Sequence, residues 1–156
     1  MYKKILVPHG GTSAGDNAVR HAIHLAKVDS AKIILLHVVE SLQIPPTFAL
    51  SETERKKLIQ DIDGVSESLK SSMEEKLEQQ IAICKENGIN ADKLVLIGDA
   101  AEEILRVVMN DKIDLIVMSK RRKLKGLRKL LSLGSVSRKI VEHVTCPVYL
   151  IDVESS

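Results

Sequence analysis

Lys32-Ile33-Ile34-Leu35-Leu36-His37-Val38-Val39 is a strand-length run with apolar residues at odd and even positions alike. A strand with one wet face alternates polar and apolar residues, whereas a strand covered on both faces does not. The run therefore predicts a strand inside a parallel sheet, and the flanking sequence should supply helices for both faces.

It does so on each side. Upstream, Ile5-Leu6-Val7 is a short apolar strand closed by Pro8 and the pair Gly10-Gly11, and a helix from Ser13 carries Ala14, Ala18, Ala22, Leu25 and Ala26 on one face. Downstream, Glu40 to Leu50 holds Pro45-Pro46 and reads as a loop. Ser51-Glu52-Thr53-Glu54 is a capping box, followed at helical spacing by Leu58, Ile62, Val65, Leu69, Met73, Leu77 and Ile81. An unbroken helix over 51–86 would be about 50 Å long, so the sequence predicts either a kink near Asp63-Gly64 or an overhanging N-terminal half.

Asn87-Gly88 ends that helix. Lys93 to Ile97 reads as the third strand, and Gly98-Asp99-Ala100-Ala101-Glu102 starts a helix capped by Asp99, with Ile104, Leu105, Val108 and Met109 as its apolar stripe. Asp114-Leu115-Ile116-Val117-Met118 is the fourth strand, a helix from Ser135 carries Val136, Ile140, Val141 and Val144, and Pro147 to Ile151 is the fifth strand. The order β-α-β-α-β-α-β-α-β predicts one α/β domain over 1–153, a Rossmann-like five-stranded parallel sheet with helices on both faces. Ligands of such sheets bind at the carboxyl ends of the strands, where the loops after strands one, two and four converge.

Composition narrows the ligand. The chain has no Trp, one Phe and two Tyr, few platforms for stacking single-stranded nucleic acid. Residues 120–139 hold nine of the 23 Lys and Arg and no acid, leaving 14 bases against 21 acids elsewhere, a net −7. A local cationic patch on an acidic protein points to a small anion rather than to duplex DNA. No stretch reaches the roughly 18 apolar residues of a membrane span, and Met1-Tyr2-Lys3-Lys4 leads into a short strand without a long apolar region, so a soluble, cytoplasmic protein is expected. Cys84 and Cys146 lack metal-ligand spacing and read as two buried thiols in a reducing cytoplasm.

The anion chemistry concentrates at Gly134-Ser135-Val136-Ser137, a predicted helix start preceded by the run Lys120 to Lys129, seven cations in ten residues. Helix N-termini present free N–H groups and positive potential, which suit phosphate. A plain helix cap also accounts for Gly134-Ser135, and a solvated loop for the cations. His9 could hydrogen-bond a ligand from the first loop or be a surface loop histidine; His37 reads as a packed strand residue with one hydrogen bond. No nucleophile–His–acid set, nucleophile elbow, P-loop lysine or metal cluster is visible, so neither a catalytic residue nor a metal ligand is assigned.

Taken together, Lys3-Lys4-Ile5-Leu6-Val7-Pro8, Leu35-Leu36-His37-Val38, Gly98 to Ile104, Asp114 to Met118, Gly134-Ser135-Val136-Ser137 and Cys146-Pro147-Val148 resemble the universal stress protein family along essentially the whole chain. The resemblance implies a small stress-response regulator, a homodimer paired through its last strand (147–151), and in some members an adenine nucleotide such as ATP or AMP, with Mg²⁺ an open question. It implies Pro8, His9, Gly10 and Val38 on the base side, with Met118, Ser119, Arg121, Arg122, Gly134, Ser135, Val136 and Ser137 about the phosphates. Nucleotide-binding members resemble G-x2-G-x9-G-[ST], with an acid two residues after the strand-one proline. Here that acid position is Gly10, and the first two glycines fall at Arg121 and Leu124, or with the loop two residues longer at Ser119 and Arg122. Two readings follow: an adenine-nucleotide binder with an altered phosphate loop, or a nucleotide-independent module whose basic loop 120–129 meets a protein or nucleic-acid partner.

Overall fold

The computed structural model describes residues 1–42, 44, 46–120 and 133–152. In chain order the elements are β1 (Lys4–Pro8), α1 (Ser13–Asp29), β2 (Lys32–Glu40), α2 (Glu52–Glu86), β3 (Ala91–Gly98), α3 (Ala100–Asn110), β4 (Leu115–Lys120), α4 (Ser135–His143) and β5 (Val148–Asp152). All strand pairs are parallel, in the order β3-β2-β1-β4-β5.

The doubly apolar run of β2 feeds two cores. Ile33, Leu35 and Val39 face a layer made with Ala18, Ala22 and Ala26 of α1 and Leu77, Ile81 and Cys84 of α2. Leu36, with Ile34 and Val38 beside it, faces Ile104, Val107 and Val108 of α3 and Ile140 of α4. The alanines of α1 bring that helix close to the sheet, and such contacts supply the main favourable term in folding.

Several expectations need correction in detail. α2 runs unbroken through Gly64, and its buried residues begin only at Ser66, so of the two alternatives the overhang holds. Ser51 does cap it, accepting from the Glu54 N–H at 3.3 Å while Glu54 accepts from the Ser51 N–H at 2.8 Å. In α3 the buried arc is Ala101, Ile104, Val107 and Val108, and Met109 is 73% exposed. The predicted stripe had the wrong phase by about one residue, because two arcs of this apolar helix score almost alike. Val141 of α4 is likewise exposed, while Asp99 caps α3 as expected. Cys84 is buried but Cys146 only half-buried, and both are free thiols. β4 continues past Met118 through Ser119 and Lys120, which pair with Ile151 and Asp152.

Candidate functional site

Strand order reverses at the sheet centre: β1 leads through α1 to β2 on one side, and β4 leads through α4 to β5 on the other. In parallel sheets of this topology such a switch point, at the carboxyl ends of the central strands, is where a ligand crevice forms. Pro8 ends β1, Gly10 is exposed just beyond it, and Val38 lies near the end of β2. Met118 is 4% exposed within the α3–α4 core, so its side chain packs inward, whereas Ser119 and Lys120 at the end of β4 are half-buried. Arg121, Arg122 and Leu124, with the rest of the basic run through Lys129, lie outside the described residues.

His9 is neither a surface residue nor open to the crevice: its side chain is fully buried beneath the β1–α1 loop. Its Nδ1 accepts the Gly11 N–H at 3.0 Å and its Nε2 meets Asp16 Oδ1 at 3.0 Å. An amide N–H can only donate, so Nδ1 must present its lone pair and Nε2 must carry the proton given to Asp16. The backbone is fixed as well. The His9 N–H donates to the Leu36 carbonyl at 2.8 Å, and His37 Nδ1 donates to the His9 carbonyl at 2.7 Å. Lys76 reaches from α2 to donate to the Gly11 carbonyl. Gly11 adopts φ +74°, and a Cβ there would also come within 3.1 Å of Met73 Sδ, so conformation and space both favour glycine.

Burial holds the His9 pKa below its ordinary value of 6.5; the Asp16 hydrogen bond and charge pull the other way, and Lys76 and His37 add to the lowering. A carboxylate partner alone would raise a histidine's pKa, but here desolvation of the enclosed ring outweighs it. Sequence reading missed Asp16, Gly15 and Lys76 altogether. The available signal was Gly15-Asp16 in the first turn of a helix, where glycine costs helix stability and so marks a close approach.

At the other lip, Gly134 is the N-cap of α4, with φ −58° and ψ 159°, open to any residue. Among the described residues a Cβ on Gly134 would meet no atom within 4 Å, so neither strain nor packing there requires glycine. Gly134 and Ser135 are exposed and Val136 packs against the core. Ser137 is 7% exposed, and among the described residues its hydroxyl has no hydrogen-bond partner. A buried hydroxyl without a partner costs free energy, and it lies in the first turn of a helix whose N–H groups are unpaired.

The described residues contain no group of three His, Cys, Asp or Glu placed to hold a metal, and no helix among them is long and apolar enough to cross a membrane. A groove of about 380 Å³ between α2, the loop after β2 and β3 is lined by Leu42, Ile44, Ile59, Ile62 and Ile97 and shares no residue with the crevice.

Comparison with known proteins places this arrangement. The model of the universal stress protein family matches residues 1–152. The universal stress protein MJ0531 of Methanocaldococcus jannaschii is 32% identical over 151 residues, covering 97% of this chain and 82% of that protein. The solved structure of MJ0577, from the same organism, superposes with a TM-score of 0.80 at 24% identity, covering 100% of this chain and 99% of the other. A universal stress protein family protein from Arabidopsis thaliana, solved with AMP bound, superposes with a TM-score of 0.63 at 20% identity, covering 98% and 93%.

Proposed function

The chain belongs to the universal stress protein family, and on that premise we propose that it is a dimeric, cytoplasmic stress-response regulator. Its ligand is an adenine nucleotide, AMP or ATP, held between the Pro8–Gly11 loop and the start of α4. The observation that carries this reading is Ser137, a buried hydroxyl without a described partner in the first turn of α4. A phosphate there would accept from it and from the neighbouring N–H groups. Gly134 supports the same placement, since close approach of a ligand accounts for a glycine that backbone and described packing do not require. The Arabidopsis relative's AMP is consistent with this ligand class. Arg121 and Arg122, from the adjoining basic run, would add charge-assisted contacts.

Among the described strands β5 lies at the edge of the sheet beside β4, and its Tyr149 is 44% exposed. An uncovered edge invites pairing with another chain, which supports a homodimer through 148–152. Two unpaired cysteines support a reducing compartment.

One observation favours the nucleotide-independent reading. Gly10 stands where an acid would hold the ribose, and Asp16, a carboxylate that reaches that loop, is engaged by His9. Calorimetry with AMP, ATP and cyclic AMP on a protein of measured oligomeric state decides between them. Absence of binding at millimolar nucleotide by a folded dimer would sink the nucleotide reading.

A further inference from the structure

The His9 cluster is built at higher cost than a loop anchor requires. It encloses an imidazole completely, needs glycine at Gly11 and Gly15, and draws on α1, α2 and β2 at once. One of those contacts tolerates only one protonation state. Gly11 N–H to Nδ1 requires a lone pair on Nδ1, and a proton added there would set two donors against each other at 3.0 Å. The ring is fully buried and lies against Gly15, and turning away from Gly11 would also give up its bond to Asp16.

We propose that His9 is a positioning residue for the nucleotide site: in its neutral Nε2–H form it holds the Pro8–Gly11 loop ready for the ligand, and protonation releases Gly11 and weakens nucleotide binding. The inference rests on the nucleotide reading given above. It differs in making a residue that touches no ligand control affinity through the loop.

The groups facing the ring are Asp16 from α1, Lys76 from α2 and His37 from β2. Asp16 favours the imidazolium, while Lys76 and His37 oppose it, and burial opposes it most. The balance lowers the His9 pKa, so the neutral form prevails at neutral pH and release belongs to acidification. Lys76 then has a second effect. Its ammonium tethers the Gly11 carbonyl, so the loop is restrained from both sides of one peptide pair and responds as a unit.

The test uses the full chain. Imidazole ¹⁵N shifts of His9 and the Gly11 amide resonance are followed in the free protein from about pH 5 to about pH 7.5, across the histidine range. AMP affinity is measured by calorimetry over the same range. AMP's own phosphate titrates near pH 6, so each value is compared with His9→Asn, which meets the same ligand. Asn places an oxygen near the Nδ1 position, keeps an acceptor for the Gly11 N–H, and does not titrate.

The expected result is a shared midpoint for His9 and Gly11 below 6.5, with wild-type affinity falling relative to His9→Asn below it. The limit is about tenfold per pH unit, that of one obligate proton. His9→Leu, which has no acceptor, should bind weakly at every pH. A Gly11 amide that ignores His9 titration overturns the proposal, whether or not AMP binds. So does a wild-type affinity profile parallel to that of His9→Asn, which leaves the nucleotide reading intact. Absence of AMP binding throughout removes the nucleotide reading and with it the role in affinity, and the shared midpoint then reports only a loop latch.

Discussion

Gly15 lies so close beneath the ring of His9 that a Cβ on it would come within 2.8 Å of the imidazole Cδ2 and Nε2. Gly15→Ala should therefore force either the ring or the first turn of α1 to move. The cost should be about 1–3 kcal/mol, the range for overpacking a closed site, partly offset by the better helix propensity of alanine. Urea unfolding at neutral pH measures it, and a midpoint equal to wild type would show that the contact is slack.

The pH dependence of stability carries a definite sign. A folded-state pKa for His9 below 6.5 means that the unfolded chain binds more protons at mildly acid pH. This contribution is fully present above about pH 6.5, the unfolded value, and is lost as pH falls from there toward the folded pKa. Wild type should lose more stability than His9→Asn between those limits, as read from urea midpoints at each pH. The subtraction removes the carboxylates common to both.

At the opposite lip, Gly134→Ala should fold normally. Alanine is a poorer N-cap than glycine by a few tenths of a kcal/mol or more, but it restricts the unfolded chain by a comparable about 0.4–1 kcal/mol. The substitution should weaken AMP binding because a methyl group occupies the approach to the first turn of α4. A thermal melt paired with calorimetry separates the two effects, and unchanged affinity would place the phosphate elsewhere.

Ser137→Ala reverses the usual pattern for a buried polar residue. With no described partner to lose, the free protein should be as stable as wild type or gain up to about 1 kcal/mol. Nucleotide affinity should fall by about 1–3 kcal/mol, the scale of a hydrogen bond to a charged group, and Ser135→Ala should weaken it by a similar amount. Loss of stability without loss of affinity would mark Ser137 as structural.

The two thiols should separate by accessibility. Cys84 is buried in the α1–α2 core, where desolvation pushes its pKa up to about 11, while Cys146 is half-buried and raised chiefly by burial. The thiolate is the reactive form, so an alkylating reagent at neutral pH should modify Cys146 first and reach Cys84 on global opening. Mass spectrometry of timed samples reads the order.

How far the sequence reached depended on the range of the interactions. β2 was legible because Ile33 through Val39 states its double burial locally, and the caps at Ser51 and Asp99 were legible because each is completed three residues on. The phase of α3 was not, since Met109 and Val107 are equally apolar and only the packed sheet chooses between them. His9 was misplaced for a similar reason. Its burial depends on Asp16 seven residues away, His37 on the next strand and Lys76 on a distant helix. Ser137 was singled out from helix-start chemistry and the family motif, neither of which foretells its burial.

The overhang of α2 gives one continuous helix two local stabilities. Its residues before Ser66 are held by capping, helix propensity and the partial burial of Leu58 and Ile62, while Leu77, Ile81 and Cys84 are locked into the core. A helical segment with little tertiary support opens at low free-energy cost. Amide protons between Glu52 and Val65 should exchange with solvent far sooner than those between Leu77 and Cys84. A protease with limited contact time should nick the first stretch and leave the second intact, so this helix unravels from its tip while its root keeps time with the whole domain.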